Sequence, residues 1–134
     1  MPGAIGAYLA SNGDRIIVAF AGDGGFMMSG QELSTAVRKQ IPIKIIVCDN
    51  NIHGSILKGQ ADKYGLENAF GTIMGSPDFA QIARAYGAKA WTVKTTDEWR
   101  SSLEEALSHD GPALIHLIFD PRDIAPYGNE KDAV

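Results

Sequence analysis

What the chain lacks narrows its class before any motif is considered. Cys48 stands alone among 134 residues, so no internal disulfide can form, and its place at the end of an apolar run suits packing. No apolar run approaches the ~20 residues that a bilayer span needs. The opening residues carry no basic segment leading into an apolar core of signal-peptide type, so a reducing cytoplasm is the expected compartment. Twelve lysines and arginines are scattered against sixteen acids, for a net charge of −4. Such a balance offers no basic patch to nucleic acid or to anionic lipid. Internal repeats, zinc-ligand spacings, low-complexity stretches, a nucleophile elbow and a P-loop are missing too.

What remains is the composition of one globular domain, 45% hydrophobic and 21% charged. Ile16 to Ala21 and Ile43 to Cys48 read as strands buried on both faces. Between them, Ser29-Gly30-Gln31-Glu32 has the form of a capping box. Leu33, Ala36 and Val37 follow at helical spacing, Arg38 and Lys39 suit a last turn, and Pro42 ends the helix. Strand, helix and strand in so short a span predict a βαβ crossover with parallel, neighbouring strands.

The polar residues just beyond both strands then emerge at one sheet edge, roughly 5 Å apart from strand to strand. Open α/β sheets bind ligands at that edge. Gly22-Asp23-Gly24-Gly25 brings a carboxylate and glycines, and Asp49-Asn50-Asn51 brings a side-chain amide. The sign of the charge discriminates among ligands. A carboxylate between the glycines would repel a phosphate held on amides alone, whereas a magnesium ion between the two turns repulsion into attraction. The dinucleotide fingerprint fails on spacing, since Met27 stands where its third glycine is needed.

Elsewhere, Pro2 to Ala10 reads as a helix with a small-residue face (Gly3, Gly6, Ala7, Ala10) for close packing. Asn12-Gly13-Asp14 is a turn. Phe26, Met27 and Met28 read as packing under the loop or on a partner surface. Residues 54–63 have mixed helical character, and 64–75 form the longest aperiodic stretch. Ser76 and Pro77 read as the cap and first position of a helix buried through Phe79, Ile82, Ala83 and Tyr86, closed by Gly87. A strand over 90–93, a second capping box at Thr95 to Glu98, a helix through Trp99, Leu103, Ala106 and Leu107, and a last strand over 113–119 complete the pattern. His116, alone in an apolar run, reads as a core histidine, and the tail from about 127 as frayed.

The separation of Asp23 and Asn50, 27 residues, makes the resemblance specific. The chain resembles the diphosphate-binding domain of thiamine-diphosphate-dependent enzymes, whose motif is Gly-Asp-Gly, about twenty to thirty residues, then Asn. Gly30 to Ala36 is similar to the acetolactate synthase, benzoylformate decarboxylase and pyruvate decarboxylase branch. The resemblance implies an α/β three-layer sandwich with a mainly parallel sheet flanked by helices. It also implies Mg²⁺ held by Asp23, the Asn50 side chain and the Ile52 carbonyl, with Gly22, Gly24, Gly25, His53 and Gly54 beside the cofactor. Asn50 is preferred to Asn51 because Asn50 to Ile56 matches a pattern of Asn-x-x-Tyr-Gly-x-Ile type, in which His53 replaces the usual tyrosine.

On this resemblance, residues 1–134 are a cofactor-binding domain of a longer multidomain enzyme that cleaves or forms carbon–carbon bonds of 2-oxo acids. No catalytic residue is assigned within the chain, because the family's glutamate that acts on the pyrimidine ring lies in a separate pyrimidine-binding domain. That domain, in the same polypeptide or in a second subunit, is the expected partner, and the complete enzyme is expected to be a homo-oligomer. The alternative is a non-catalytic α/β interaction or regulatory module. A receiver-like phosphotransfer domain would use Asp49 as nucleophile, but the adjoining asparagines and the Gly-Asp-Gly loop fit the thiamine reading better.

Overall fold

The computed structural model describes residues 1–120, so the tail expected to fray lies outside the described residues. Among the described residues, ten α-helices and β-strands follow one another: α1 (Pro2–Ala10), β1 (Val18–Gly22), α2 (Asp23–Ser29), α3 (Leu33–Arg38), β2 (Lys44–Asp49), α4 (Gly54–Tyr64), α5 (Phe79–Ala85), β3 (Lys89–Val93), α6 (Thr96–Ser108) and β4 (Ala113–Ile118). The four strands form one sheet in the order β1-β2-β4-β3, with every pair parallel. β1 and β2 are neighbours, with Gly22 opposite Cys48, as the crossover argument requires.

Two apolar clusters sandwich the sheet. On one face, Phe26, Leu33, Ala36, Phe79 and Ala83 from α2, α3 and α5 pack on Ile43, Ile45, Val47 and Leu114. On the other, Ala106 of α6, with Trp99 and Leu103, covers Ile46, Val93, Ala113 and Ile115. The result is the expected three-layer α/β/α sandwich. β2 and β4, at the centre, are buried along most of their length, as a parallel sheet covered on both faces demands.

β1 departs from the sequence reading. It begins at Val18 rather than Ile16 and alternates between exposed and half-buried positions. It is one of the two edge strands among the described residues, and Phe20 is 70% exposed although its neighbour Ile46 is buried under α6 on the same face. A continuous apolar run thus did not mark burial on both sides.

Local signals were also displaced. Ser29 ends α2 and makes no cap; a 3-10 turn over Gly30–Glu32 leads into α3. The cap of α5 is Asp78, which accepts from the Gln81 amide at 2.9 Å, and this frees Ser76 for another task. Phe26 packs inward, whereas Met27 and Met28 are exposed, because α2 turns only one side to the core. The small residues of α1 face outward, and Ala4, Ile5 and Tyr8 make its contacts instead.

The capping box at Thr95 forms in full. Thr95 accepts from the Glu98 amide, and the Glu98 carboxylate accepts from the Thr95 amide at 3.0 Å. Because this cap is exposed, Thr95→Ala removes it without opening a cavity. The expected cost is about 1 kcal/mol, read as a fall in thermal midpoint of about 4 °C. An unchanged midpoint would show that α6 is held by its core face alone.

Candidate functional site

At the C-terminal edge of the sheet, β1 runs directly into α2, so Asp23 is both the first residue past the strand and the first of the helix. One strand away, β2 ends at Asp49 and releases the loop 50–53 before α4. The two turns flank a cavity of about 850 Å³. All eight residues singled out from the sequence line it: Gly22, Asp23, Gly24, Gly25, Asn50, Ile52, His53 and Gly54. The turns touch closely, since a β-carbon added at Gly24 would lie 2.5 Å from the His53 ring and would have to push that exposed ring aside. Lys58 and Asp62 of α4, paired at 3.0 Å, also line the cavity; the sequence offered only their helical spacing as a hint.

The loop after β2 is fixed by its own polar groups. Asn51 adopts the left-handed conformation, φ 61°, which asparagine tolerates better than most residues. Its side-chain oxygen accepts from the Ser76 amide at 2.8 Å, and its carbonyl accepts from the Met74 amide at 2.9 Å. Ile52 pairs with Ile73 across an isolated bridge. Asn51 is therefore engaged with the 73–76 segment, while Asn50, whose oxygen accepts from the Ile52 amide at 3.3 Å, lines the cavity. The Ile52 carbonyl accepts from the Gly54 amide at 2.8 Å.

Two buried carboxyl groups sit behind this loop with opposite electrostatics. Burial pushes the Asp23 carboxyl above its ordinary value of 3.8, and the neighbouring Asp49 carboxylate adds to the rise, against the pull of the Gly24 amide. Asp23 Oδ1 accepts from that amide at 2.7 Å, but its Oδ2 is buried with no partner. Burial alone would also raise Asp49. Hydrogen bonds from His116, Ser76 and the Asn51 amide outweigh that effect and hold it below the usual range. His116 Nε2 lies 2.7 Å from Asp49 Oδ2, with both residues buried. An ionised carboxylate can only accept, so this ring nitrogen donates.

His116 thus fits the core reading, but its partner was not legible in sequence, because β2 and β4 become neighbours only through the fold. Among the described residues no cluster of three or more His, Cys, Asp or Glu side chains could hold a metal. A site here must use neutral oxygens beside one carboxylate, a donor set that suits a hard cation such as Mg²⁺. The orphaned Asp23 oxygen is consistent with that demand.

This electrostatic arrangement makes Asp23 a source of instability without an ion. Below about pH 3.8 the residue is protonated in the folded and unfolded chain alike and carries no penalty. As pH rises, the unfolded chain ionises first, so folded stability falls until the raised folded pKa is passed. Asp23→Asn replaces repulsion toward Asp49 with a donor, and in metal-free buffer it should stabilise the chain by roughly 1–3 kcal/mol at pH 7. The gain should shrink to nothing on acidification, as denaturant melts across pH would show. A loss of stability at pH 7 would refute this electrostatic account.

Residues 1–117 match the family profile of the thiamine pyrophosphate enzyme, C-terminal TPP binding domain. A probable acetolactate synthase large subunit of Methanococcus aeolicus is 38% identical over 120 residues, covering 90% of this chain and 20% of that protein. The acetolactate synthase isozyme 2 large subunit of Escherichia coli K12 is 36% identical over 120 residues, covering 90% of this chain and 22% of its own length. The chain therefore spans about a fifth of these curated relatives. Among solved structures, the Rhodococcus jostii RHA1 thiamine diphosphate-dependent 4-hydroxybenzoylformate decarboxylase superposes with a TM-score of 0.79 at 31% identity, over 90% of this chain and 23% of that one. The chain belongs to the thiamine pyrophosphate enzyme family, as its C-terminal cofactor-binding domain.

Proposed function

We propose that this domain anchors the diphosphate of thiamine diphosphate through Mg²⁺, within a longer enzyme that cleaves or forms carbon–carbon bonds of 2-oxo acids. The observation that carries the reading is the unpartnered, buried Asp23 oxygen beside a cavity that Asn50 and Ile52 also line. Asp23 would supply the one anionic ligand, and the Asn50 side chain and Ile52 carbonyl the neutral ones. A divalent ion there favours the charged form of Asp23 and offsets the cost of burying it. Gly22, Gly24 and Gly25 would offer backbone to the diphosphate, with His53 and Gly54 lining the same cavity.

When bound, thiamine diphosphate supplies the electron sink that such bond cleavage requires, and the protein supplies binding and orientation. This chain's part is to hold the anionic end of the cofactor. The proton chemistry at the pyrimidine ring we assign to a pyrimidine-binding domain elsewhere in the polypeptide or in a second subunit, in an oligomeric enzyme. The relatives' names include both a synthase and a decarboxylase, so the proposal extends to a reaction class and not to one substrate. No helix among the described residues is long and apolar enough to cross a membrane, and the lone cysteine fits a reducing cytoplasm.

Calorimetric titration of thiamine diphosphate into the chain tests the reading. Binding is expected with Mg²⁺ and not with chelator, and Asp23→Ala or Asn50→Ala should weaken it by about tenfold or more. Metal-independent binding that is indifferent to both substitutions would remove the anchor role.

A further inference from the structure

Asp49 lies beside the proposed metal set yet does not line the main cavity. Its oxygens are already engaged. Oδ2 accepts from His116 Nε2 at 2.7 Å, and Oδ1 accepts from the Asn51 amide at 2.9 Å and from Ser76 Oγ at 2.8 Å. The three donors come from three separate segments: β4, the loop after β2, and the stretch before α5. His116 is itself fixed, 3% exposed, with its ring edge-on to Phe79 at 5.1 Å between centroids. Its Nδ1 has no hydrogen-bond partner, and Asp78 Oδ1 stands 3.7 Å away. The imidazole therefore has Asp49 as its one hydrogen-bond partner, with the Asp78 carboxylate within ion-pair distance of its other nitrogen.

The loop that Asp49 restrains is the one whose geometry matters most. Asn51 carries the left-handed φ, and Asn50 and Ile52 flank it directly. A rotation at Asn51 would swing the amide oxygen of one neighbour and the carbonyl of the other out of a shared orientation. Resting on the metal reading above, we infer that the buried His116–Asp49 pair is a positioning device for the metal loop, holding Asn51 so that Asn50 and Ile52 present their oxygens to one ion. His116 touches neither ion nor cofactor in this arrangement. It acts through Asp49, as outer-shell partners of metal ligands do.

The test compares wild type with His116→Leu, which removes the donor, and His116→Gln, whose side-chain amide can still donate. Val93→Ala, buried on the opposite sheet face, serves as the control for lost stability alone. Mn²⁺ binding in the presence of thiamine diphosphate is one readout, and hydrogen exchange of the Asn51 amide in metal-free protein is the other. His116→Leu should weaken Mn²⁺ by about tenfold and speed Asn51 exchange by a similar factor, while His116→Gln and Val93→Ala stay within about threefold of wild type on both readouts. Unchanged Mn²⁺ affinity in His116→Leu, or an equal loss in Val93→Ala, overturns the inference and leaves the metal reading standing. Should His116→Leu not fold, Ser76→Ala removes a different donor to Asp49 and must also loosen Mn²⁺ and speed exchange; no change overturns the inference. If wild type binds neither Mn²⁺ nor thiamine diphosphate, the metal reading itself has failed and this inference falls with it.

Discussion

A buried carboxylate oxygen without a partner is the constraint around which this sheet edge is arranged. Asp23 is carried there because β1 passes straight into α2, leaving no loop in which the side chain can turn to solvent. Burying an acceptor of this kind is costly, and a second acid one strand away makes it costlier. The fold resolves the conflict by treating the two acids differently. Asp49 is surrounded by donors and held ionised, whereas Asp23, which lines the cavity, is left half satisfied. A cation is the natural complement to that asymmetry, and the neutral oxygens nearby are the kind a hard ion accepts.

The rest of the architecture serves the placement of two turns. Parallel pairing in register sets Gly22 opposite Cys48, so the residues after each strand emerge side by side. Glycine at position 24 lets the first turn approach His53, and asparagine at position 51 lets the second adopt a left-handed bend. Helices on both faces keep the central strands dry and the sheet stiff, so small movements at the edge are resisted by the whole core.

Much of this was legible in the residues because it depended on short-range chemistry. The crossover, the parallel pair, the Gly-Asp-Gly turn and the Thr95 capping box all follow from patterns within a few tens of residues. Reading failed where the answer depended on neighbours distant in sequence. Ile16 to Ala21 looked like a strand covered on both sides, but apolar composition does not reveal an edge. Ser76 looked like a helix cap, but Asp78 takes that position, and Ser76 donates to Asp49 instead. The partnership of His116 with Asp49 spans 67 residues and exists only because β4 inserts between β2 and β3. No local pattern could have announced it.

The most direct measurement is anomalous diffraction from crystals of the chain grown with Mn²⁺ and thiamine diphosphate. The account predicts a single metal peak in coordinating contact, about 2.0–2.3 Å, with an Asp23 carboxylate oxygen, the Asn50 side-chain oxygen and the Ile52 carbonyl, while Asp49 remains bonded to His116. A peak coordinated by Asp49 in place of Asp23, or a cofactor bound away from both turns, would contradict it.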